Sequence, residues 1–418
     1  MSKIYYKSKT NRNKNGNFPQ FKISSGCAVF GVINEDGERF SGEMVMDAIS
    51  VMHERSNGLG GGFAAYGIYP QFEKDWVFHI FYDDMIAKKS TESKIGENFE
   101  VLLSEEIPTR KVSRIVNAPL IYRYFLKPKE NFTLYGKNKT DSVVMSQVIT
   151  ATKEDKIVDF VMHINRDISG AYIISSGKNM GVFKGVGFPE DIGLFFKLDE
   201  YKGYLWTSHG RFPTNSVGWW GGAHPFGLLN WSVVHNGEIS SYGTNKRFVD
   251  GFGYECTLST DTEVITYLLD LIVRKQKINL EMVHLILASP LWEDIERMPE
   301  DIKESLKALR ILYGNALLNG PFSIIAGNIN CMYALNDRIK LRPLVAARKD
   351  KYLFVSSEEA AIRKVCSSPD SIWQPDGGEP VIGVVSKKEK NGSEKNNGYQ
   401  KKNKKLESWS GLVNQNFR

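Results

Sequence analysis

The sequence predicts an α+β fold, and three observations lead to this prediction. Apolar residues alternate over residues 27–34, as they do in a β-strand, whereas over residues 43–55 they recur at helical spacing. Further strand-like and helix-like segments follow in an irregular order, without the regular alternation that builds a parallel sheet. An apolar content of 42% and a charged content of 24% are ordinary for a globular protein, and 418 residues suffice for one large domain or two smaller ones.

Turn residues and periodicity place the elements along the chain. Residues 1–20 are rich in Lys and Asn and aperiodic, which predicts a flexible leader. The turn signal Glu35-Asp36-Gly37 ends the first strand. Further strands are predicted at 63–69, 206–211, 232–235 and 322–327, a pair of strands within 169–187 joined by a turn at 176–179, and helices at 154–165, 262–275 and 300–313. Residues 71–170 otherwise read as short strands with polar connections, and residues 386–418 predict a disordered Lys/Asn-rich tail.

Positive charge is concentrated at the two ends of the chain. The whole chain carries a formal charge of +6, and residues 1–22 and 386–418 carry +6 each, so the body between them carries −6. A basic terminus can contact nucleic acid or anionic lipid, but a solvated terminus is the more common explanation. Because the body is acidic, nucleic-acid binding is not expected.

Four cysteines are scattered through the chain, without a CxxC pair or a histidine at zinc spacing: Cys27, Cys256, Cys331 and Cys366. This spacing argues against a disulfide framework, a zinc site and an iron–sulfur cluster, so neither a metal nor a cofactor is expected in this chain. No apolar stretch approaches the ~20 residues that cross a bilayer, and the first residues lack the apolar core of a secretory signal. A cytoplasmic protein without membrane attachment is therefore expected.

A glycine cluster at 58–62, Gly-Leu-Gly-Gly-Gly, raises the question of a nucleotide-binding loop. A dinucleotide-binding loop follows a strand and opens a helix. Here the cluster follows the predicted helix at 43–55 and opens the predicted strand at 63–69. Its position therefore argues against dinucleotide binding.

Five short motifs carry the functional signal. Four of them are Ser-His-Gly-Arg-Phe-Pro-Thr-Asn at 208–215, Ala-His-Pro-Phe at 223–226, His-Asn-Gly-Glu-Ile at 235–239 and Ser-Thr-Asp-Thr-Glu at 259–263. Upstream, Ser-Gly-Cys-Ala-Val-Phe-Gly-Val at 25–32 opens the first predicted strand with a cysteine. Each motif alone is a weak signal. Together and in this order they resemble the class II glutamine amidotransferase domain, an N-terminal-nucleophile hydrolase that releases ammonia from glutamine.

The resemblance covers the body of the chain and implies its architecture. It implies a four-layer αββα sandwich, in which two stacked antiparallel sheets lie between helices. It divides the chain into a leader of residues 1–26 that is removed, an amidotransferase domain of residues 27–385, and a tail of residues 386–418. Many members of the family lose only a methionine, so a leader of this length is a departure from the usual pattern.

The nucleophile implied by the resemblance is Cys27. A cysteine in an apolar strand is usually inert, since its thiol pKa lies near ~8.5. In N-terminal-nucleophile hydrolases the free α-amino group of the first residue is the base, and its pKa of ~7.7–8.0 suits proton exchange near neutrality. This role requires that the bond between Gly26 and Cys27 is cut. Gly26 has no Cβ and would let the thiol approach its carbonyl group.

The resemblance assigns the recognition of glutamine to four further residues. Arg211 would bind the α-carboxylate, because a guanidinium group matches a carboxylate in a bidentate fork. Asp261 would accept the α-ammonium group. Thr214 and His224 lie in the matched motifs and are expected to line the pocket without doing chemistry.

Asn236 and Gly237 would form the oxyanion hole. A side-chain N–H of Asn and a backbone N–H of Gly can stabilise the negative charge that develops on the amide oxygen of glutamine. An Asn-Gly pair is also a hairpin-turn signal, and both interpretations can hold together. His209 and His235 are interpreted as structural.

One branch of the family resembles this chain most, namely the stand-alone amidotransferase subunit of split glutamate synthases. The motifs that carry this further likeness lie at 217–226, 233–242, 319–322, 337–338, 341–344 and 356–361. In that branch ammonia passes to a separate glutamate synthase chain that carries FMN and iron–sulfur clusters and aminates 2-oxoglutarate. Such a chain and L-glutamine are therefore the expected partners.

Two other functions remain open from the sequence. The chain could be a catalytically silent glutamine-binding subunit, in which Cys27 is never freed. It could also be an acylase or amidase that acts on another amide with the same machinery. Arg211 and Asp261 argue against the second alternative, because few other substrates require both charges of an amino acid to be bound.

Overall fold

The computed structural model describes residues 26–136, 151–212 and 218–386. The leader up to residue 25, residue 214 and the tail from residue 387 lie outside these ranges, so the leader and tail boundaries stay predictions. The described strands pair only antiparallel. No helix in these ranges is long and apolar enough to cross a membrane.

The strands, numbered in chain order, are Ala28–Asn34 (β1), Phe40–Ser41 (β2), Gly61–Tyr66 (β3), Trp76–Tyr82 (β4), Phe99–Glu106 (β5), Leu120–Pro128 (β6), Ala171–Ser175 (β7), Met180–Gly185 (β8), Lys202–Gly203 (β9), Leu205–Gly210 (β10), Phe226–Leu228 (β11), Trp231–Gly237 (β12), Phe322–Asn328 (β13), Cys331–Asn336 (β14), Val345–Lys349 (β15), Tyr352–Ser356 (β16), Ser371–Trp373 (β17) and Val381–Val384 (β18).

The α-helices are Glu43–Ser50 (α1), Met85–Asn98 (α2), Lys153–Asp167 (α3), Pro189–Phe195 (α4), Tyr242–Asp250 (α5), Asp261–Leu269 (α6), Val283–Leu287 (α7), Trp292–Glu296 (α8), Glu300–Leu312 (α9) and Glu359–Val365 (α10). A 3₁₀ turn at His53–Arg55 follows α1, and a π-helical turn at Asp270–Lys275 continues α6.

Two sheets stack face to face between helices. The first sheet has the strand order β17-β15-β16-β1-β10-β3-β8, and the second has the order β11-β12-β13-β14-β18. Helices α1, α4 and α10 pack on the outer face of the first sheet, and α6 packs on the outer face of the second. The predicted four-layer αββα sandwich is therefore confirmed. A third sheet, β5-β6-β4-β7, adjoins the sandwich at β8 and β11 and carries α2 and α3. The helix predicted at 154–165 is α3, whereas neither α2 nor this sheet was predicted from the sequence.

Alternation along the central strands divides the core in two. Val234 of β12 and Ile325 of β13 lie in one apolar cluster with the first sheet, whereas their neighbours Val233 and Ile324 lie in a second cluster with α6. Successive residues of a strand point to opposite faces, so one strand serves both clusters. Both faces of the second sheet are therefore buried, and the site forms where its strands end.

Most predicted elements are present with shifted ends. The predicted helix at 43–55 ends at Ser50 and closes with the 3₁₀ turn, and the helix at 262–275 changes to a π-helical turn at Asp270. Helix α2 was missed within residues 71–170. Its buried residues are Ala87, Thr91, Ile95 and Asn98, so half of its buried stripe is polar and gives little apolar periodicity.

Candidate active site

The pairing of β1 with β10 brings Cys27 next to Arg211. Ala28 pairs with Gly210, so Cys27, which precedes β1, and Arg211, which follows β10, lie at the same end of these two neighbouring strands. The backbone N–H of Phe212 reaches the Sγ atom of Cys27 at 3.3 Å. The backbone N–H of Arg211 donates to the carbonyl oxygen of Gly60 at 2.9 Å, which ties this end to the glycine cluster. The cluster thus opens β3 and supports this end of the site.

Cys27 is partly buried, and its thiol lies in a positively charged environment. Burial raises its pKa, and this outweighs the lowering effect of the Phe212 N–H and of Arg211, Arg342 and Arg55. A thiol with a raised pKa is protonated near neutral pH and needs a base before it can attack. Among the described residues, the hydrogen-bond partner of Sγ is the Phe212 N–H, which is a donor and not a base. This environment fits a nucleophile that depends on its own α-amino group.

Asn236 and Gly237 end strand β12 above Cys27. Gly237 has φ +140°, and a Cβ there would lie 1.9 Å from the carbonyl oxygen of Pro321, so only glycine fits. Asn236 is completely buried, and neither atom of its side-chain amide has a hydrogen-bond partner among the described residues. A buried amide without partners costs about 1–3 kcal/mol for each unsatisfied group, and such a cost indicates a functional role.

Gly26 connects Asn236 to the nucleophile. A Cβ built on Gly26 would lie 2.9 Å from Oδ1 of Asn236 and 2.9 Å from Nη1 of Arg342. With the leader attached, the residue before Cys27 therefore occupies the space beside the candidate oxyanion hole.

Asp261 is the first residue of α6 and is held in place by its neighbours. Its Oδ2 accepts the backbone N–H of Ile239 at 3.1 Å, and its Oδ1 lies 3.5 Å from Nδ1 of His235. Burial acts to raise the pKa of Asp261, but His235 and the N–H groups of Ile239 and Thr262 outweigh it and hold this pKa below its ordinary value. Burial lowers the pKa of Arg211, and the negative charge of Asp261 partly offsets this lowering. The two predicted recognition residues therefore lie close enough to interact electrostatically.

His224 and the other two predicted histidines form a buried cluster between the sheets. Nε2 of His224 lies 3.2 Å from Oγ1 of Thr262, and its ring lies 4.1 Å from that of His209. Nε2 of His209 donates to the carbonyl oxygen of His235 at 3.0 Å, and His235 directly precedes Asn236. Burial lowers the pKa of His224 well below its ordinary value and that of His209 to about 3, so both rings are neutral. These contacts fit a supporting role.

The sequence did not single out four charged residues of the site. Arg55 donates to the carbonyl oxygen of Cys27 at 3.3 Å and pairs with Glu358 at 3.0 Å. Arg342 borders Gly26, and Lys184, which is only 1% exposed, donates to the carbonyl oxygen of Gly221 at 2.8 Å. Arg342 and Glu358 belong to motifs at 341–344 and 356–361 that carried the resemblance, so a signal existed for them, but it named no role.

The structure brings Cys27, Arg211, Asn236, Gly237 and Asp261 to one end of the sandwich, with His224 behind them. Thr214, which was expected to line the pocket, lies outside the described residues. Within the described ranges, no group of three His, Cys, Asp or Glu side chains could hold a metal ion.

Comparisons with known proteins decide the family. The family model of the class-II glutamine amidotransferases matches residues 114–255. An uncharacterized protein of Archaeoglobus fulgidus is 50% identical over 372 residues, which cover 88% of this chain and 95% of that protein. The glutamine amidotransferase-like protein GlxB of Rhizobium meliloti is 26% identical over 211 residues, which cover 49% of this chain and 59% of GlxB.

This chain belongs to the class II glutamine amidotransferases. A solved structure of the glutamine phosphoribosylpyrophosphate amidotransferase from B. subtilis is similar to 87% of this chain and 50% of that chain, with 15% identity and a TM-score of 0.41. Within this class II amidotransferase, the matched segment contains Arg211, Asn236 and Gly237 but neither Cys27 nor Asp261. The roles of individual residues and the likeness to split glutamate synthases stay predictions.

Proposed function

We propose that this class II amidotransferase hydrolyses L-glutamine to glutamate and ammonia through a thioester on Cys27. The observation that carries the proposal is the buried Asn236 amide, which has no partner among the described residues and borders the residue next to Cys27. An orphaned donor beside a nucleophile is the arrangement expected of an oxyanion hole.

The first step forms the thioester. The Cys27 Sγ attacks the side-chain carbonyl carbon of glutamine, and the thiol proton passes to the α-amino group of Cys27. Asn236 and the N–H of Gly237 stabilise the negative charge on the amide oxygen. The proton then moves to the leaving nitrogen, the carbon–nitrogen bond breaks, and ammonia departs.

The second step releases glutamate. Water attacks the thioester carbon and gives a proton to the α-amino group, and the same oxyanion hole serves the second tetrahedral intermediate. The carbon–sulfur bond breaks, the thiol regains its proton, and the carboxylate of glutamate leaves. Arg211 and Asp261 hold the α-carboxylate and α-ammonium groups throughout, and Thr214 and His224 line the pocket.

Removal of the leader is part of the proposal. The α-amino group of Cys27 exists only after the bond to Gly26 is cut, and Gly26 fills the space beside Asn236 until then. The raised pKa of the thiol adds support, because such a thiol depends on a base at its side.

The ammonia acceptor is proposed to be a separate glutamate synthase chain that carries FMN and iron–sulfur clusters and aminates 2-oxoglutarate. The support is the resemblance of motifs such as 341–344 and 356–361 to the stand-alone subunits of split glutamate synthases. Reconstitution tests this part, since adding such a chain should convert glutamine-derived nitrogen into a second glutamate.

The alternative function is a catalytically silent glutamine-binding subunit. One observation favours it, namely that Gly26 occupies the space beside Asn236 when the leader stays attached. In that case the purified protein would begin near Met1 and release no ammonia.

Ammonia release from glutamine by the purified protein, measured with Cys27→Ala beside it, distinguishes the two functions. Wild type should release ammonia, and Cys27→Ala should release none and keep its leader. Cys331→Ala, at a buried thiol of β14, is the matched control and should behave as wild type. Ammonia release by Cys27→Ala would show that the nucleophile is assigned wrongly.

A further inference from the structure

A buried carboxylate holds the backbone of the loop that carries Arg342 at the edge of the site. Asp337 is 2% exposed and accepts the backbone N–H groups of Leu341 at 2.9 Å and of Arg342 at 3.2 Å. The same carboxylate accepts the N–H of Phe322 at 3.3 Å, and Phe322 pairs with Gly237. One side chain therefore fixes the Arg342 loop relative to the strand that carries the oxyanion hole.

The guanidinium group of Arg342 lies against Gly26, the residue whose carbonyl group is bonded to the nitrogen that becomes the α-amino group. Its Nη1 is 2.9 Å from the position that a Cβ of Gly26 would take. The residue that adjoins the guanidinium group therefore directly precedes the nitrogen of Cys27. Arg342 also acts electrostatically on the Cys27 thiol.

The two other arginines that act on the Cys27 thiol each have a carboxylate nearby. Arg55, from the 3₁₀ turn, is paired with Glu358 at the start of α10, at 3.0 Å. Arg211, which directly follows β10, interacts electrostatically with Asp261 of α6. Arg342 makes no ion pair with a carboxylate in the described part of the chain, and its buried Nε has no hydrogen-bond partner there. Of the three arginines that act on the Cys27 thiol, Arg342 is therefore the one without a neighbouring carboxylate in the described part of the chain.

We propose that Arg342 is a positioning residue that keeps the α-amino group of Cys27 unprotonated at neutral pH, and so sets the acid limit of glutamine hydrolysis. This inference rests on the proposed function, including removal of the leader. An ordinary α-amino group is largely protonated at pH 7 and cannot then accept the thiol proton. A neighbouring cation disfavours the ammonium form, and lysine bases in enzymes are activated in the same way.

The pH profile of kcat/KM tests the inference. The α-amino group must be unprotonated to act as the base, so kcat/KM falls at pH values below its pKa. Loss of a nearby positive charge raises this pKa and therefore moves the acid limb of the profile to higher pH. For Arg342→Gln we expect a shift of about one pH unit, which lowers kcat/KM about tenfold at pH 6. The loss should shrink as the pH rises towards 9. Arg342→Lys keeps the charge and should retain the acid limb of wild type.

Arg338→Gln is the control for disturbance of the loop. Arg338 lies four residues before Arg342 and donates to Ser289 and Asn319, away from Cys27. The Arg338→Gln variant should keep the acid limb of the wild-type kcat/KM profile. The mass of each variant, before and after exposure to 6-diazo-5-oxo-norleucine, shows whether the leader is gone and whether the thiol reacts.

Three results would overturn the inference. The acid limb of kcat/KM could stay in place in Arg342→Gln, or kcat/KM could fall by the same factor at every pH. The leader could also remain on Arg342→Gln, which would assign Arg342 to leader removal. Failure of the wild type to release ammonia at any pH would instead refute the proposed function, so the two failures are distinct.

Discussion

Replacing Gly26 by alanine should slow the release of Cys27 as a terminus. Gly26 has φ +105°, and its Cβ would meet both Asn236 and Arg342 at 2.9 Å, closer than side-chain atoms normally approach. A left-handed backbone at a residue with a Cβ costs roughly 1–2 kcal/mol, and the two contacts push the bond before Cys27 out of line. Displacement of a reacting group by about 1 Å can slow a reaction about 10²-fold. We therefore expect leader removal to slow by about 10²-fold.

Gly253→Ala separates the effect of position from that of backbone strain. Gly253 has φ +87° and no neighbour within 4 Å of a Cβ, so it carries similar strain without any contact to the site. Intact mass should be followed over time after expression of both variants. Gly253→Ala should lose its leader at the rate of wild type, and Gly26→Ala should lose it more slowly. Equal rates for Gly26→Ala and wild type would refute the placement of Gly26 at the site.

Three substitutions test the glutamine site itself. Asn236→Ala should lower kcat by ~10²–10³ with a smaller change in KM, because the oxyanion donor acts in the transition state; a normal kcat would exclude the oxyanion role. Arg211→Lys should raise KM for glutamine about tenfold, since lysine cannot form the bidentate fork, whereas Arg110→Lys, in a surface ion pair, should leave KM unchanged. Asp261→Asn should also raise KM at neutral pH. Because the pKa of Asp261 is held below its ordinary value, the carboxylate stays ionised down to about pH 4, and its contribution to binding and stability should be lost only as the pH falls further. A rise in KM of the wild type between pH 7 and 5 that Asp261→Asn abolishes would contradict this.

The sequence predicted those parts of the molecule that local patterns encode. Strands were predicted at 27–34, 206–211 and 232–235, and the register of β1 with β10 explains why Cys27 and Arg211, which flank these two strands, lie next to each other. Asn236 lies in the second sheet, so its approach to Cys27 depends on the stacking of the two sheets. The roles of these residues came from the motif resemblance, since composition and spacing alone assign no oxyanion hole. The turn interpretation of Asn236 and Gly237 also failed to predict that Gly237 closes onto Pro321.

Features that depend on distant parts of the chain could not be predicted. Glu358 meets Arg55 across 303 residues, and Arg342 reaches Gly26 only because Asp337 folds its loop back onto β13. Helix α2 has a buried stripe with polar residues such as Thr91 and Asn98, whose partners lie at Ala87 and Tyr135, so no apolar period marks it. The contacts of Glu358 and Arg342 are tertiary and leave no local signal, whereas α2 escapes prediction because its buried stripe is partly polar.

The intact mass of the native protein after exposure to 6-diazo-5-oxo-norleucine, a glutamine analogue that alkylates thiols, tests the central claim most directly. The account predicts the mass of residues 27–418 plus one adduct, which Cys27→Ala should not acquire. An unlabelled mass that begins near Met1 would contradict the account, because Cys27 would then be neither a terminus nor a nucleophile.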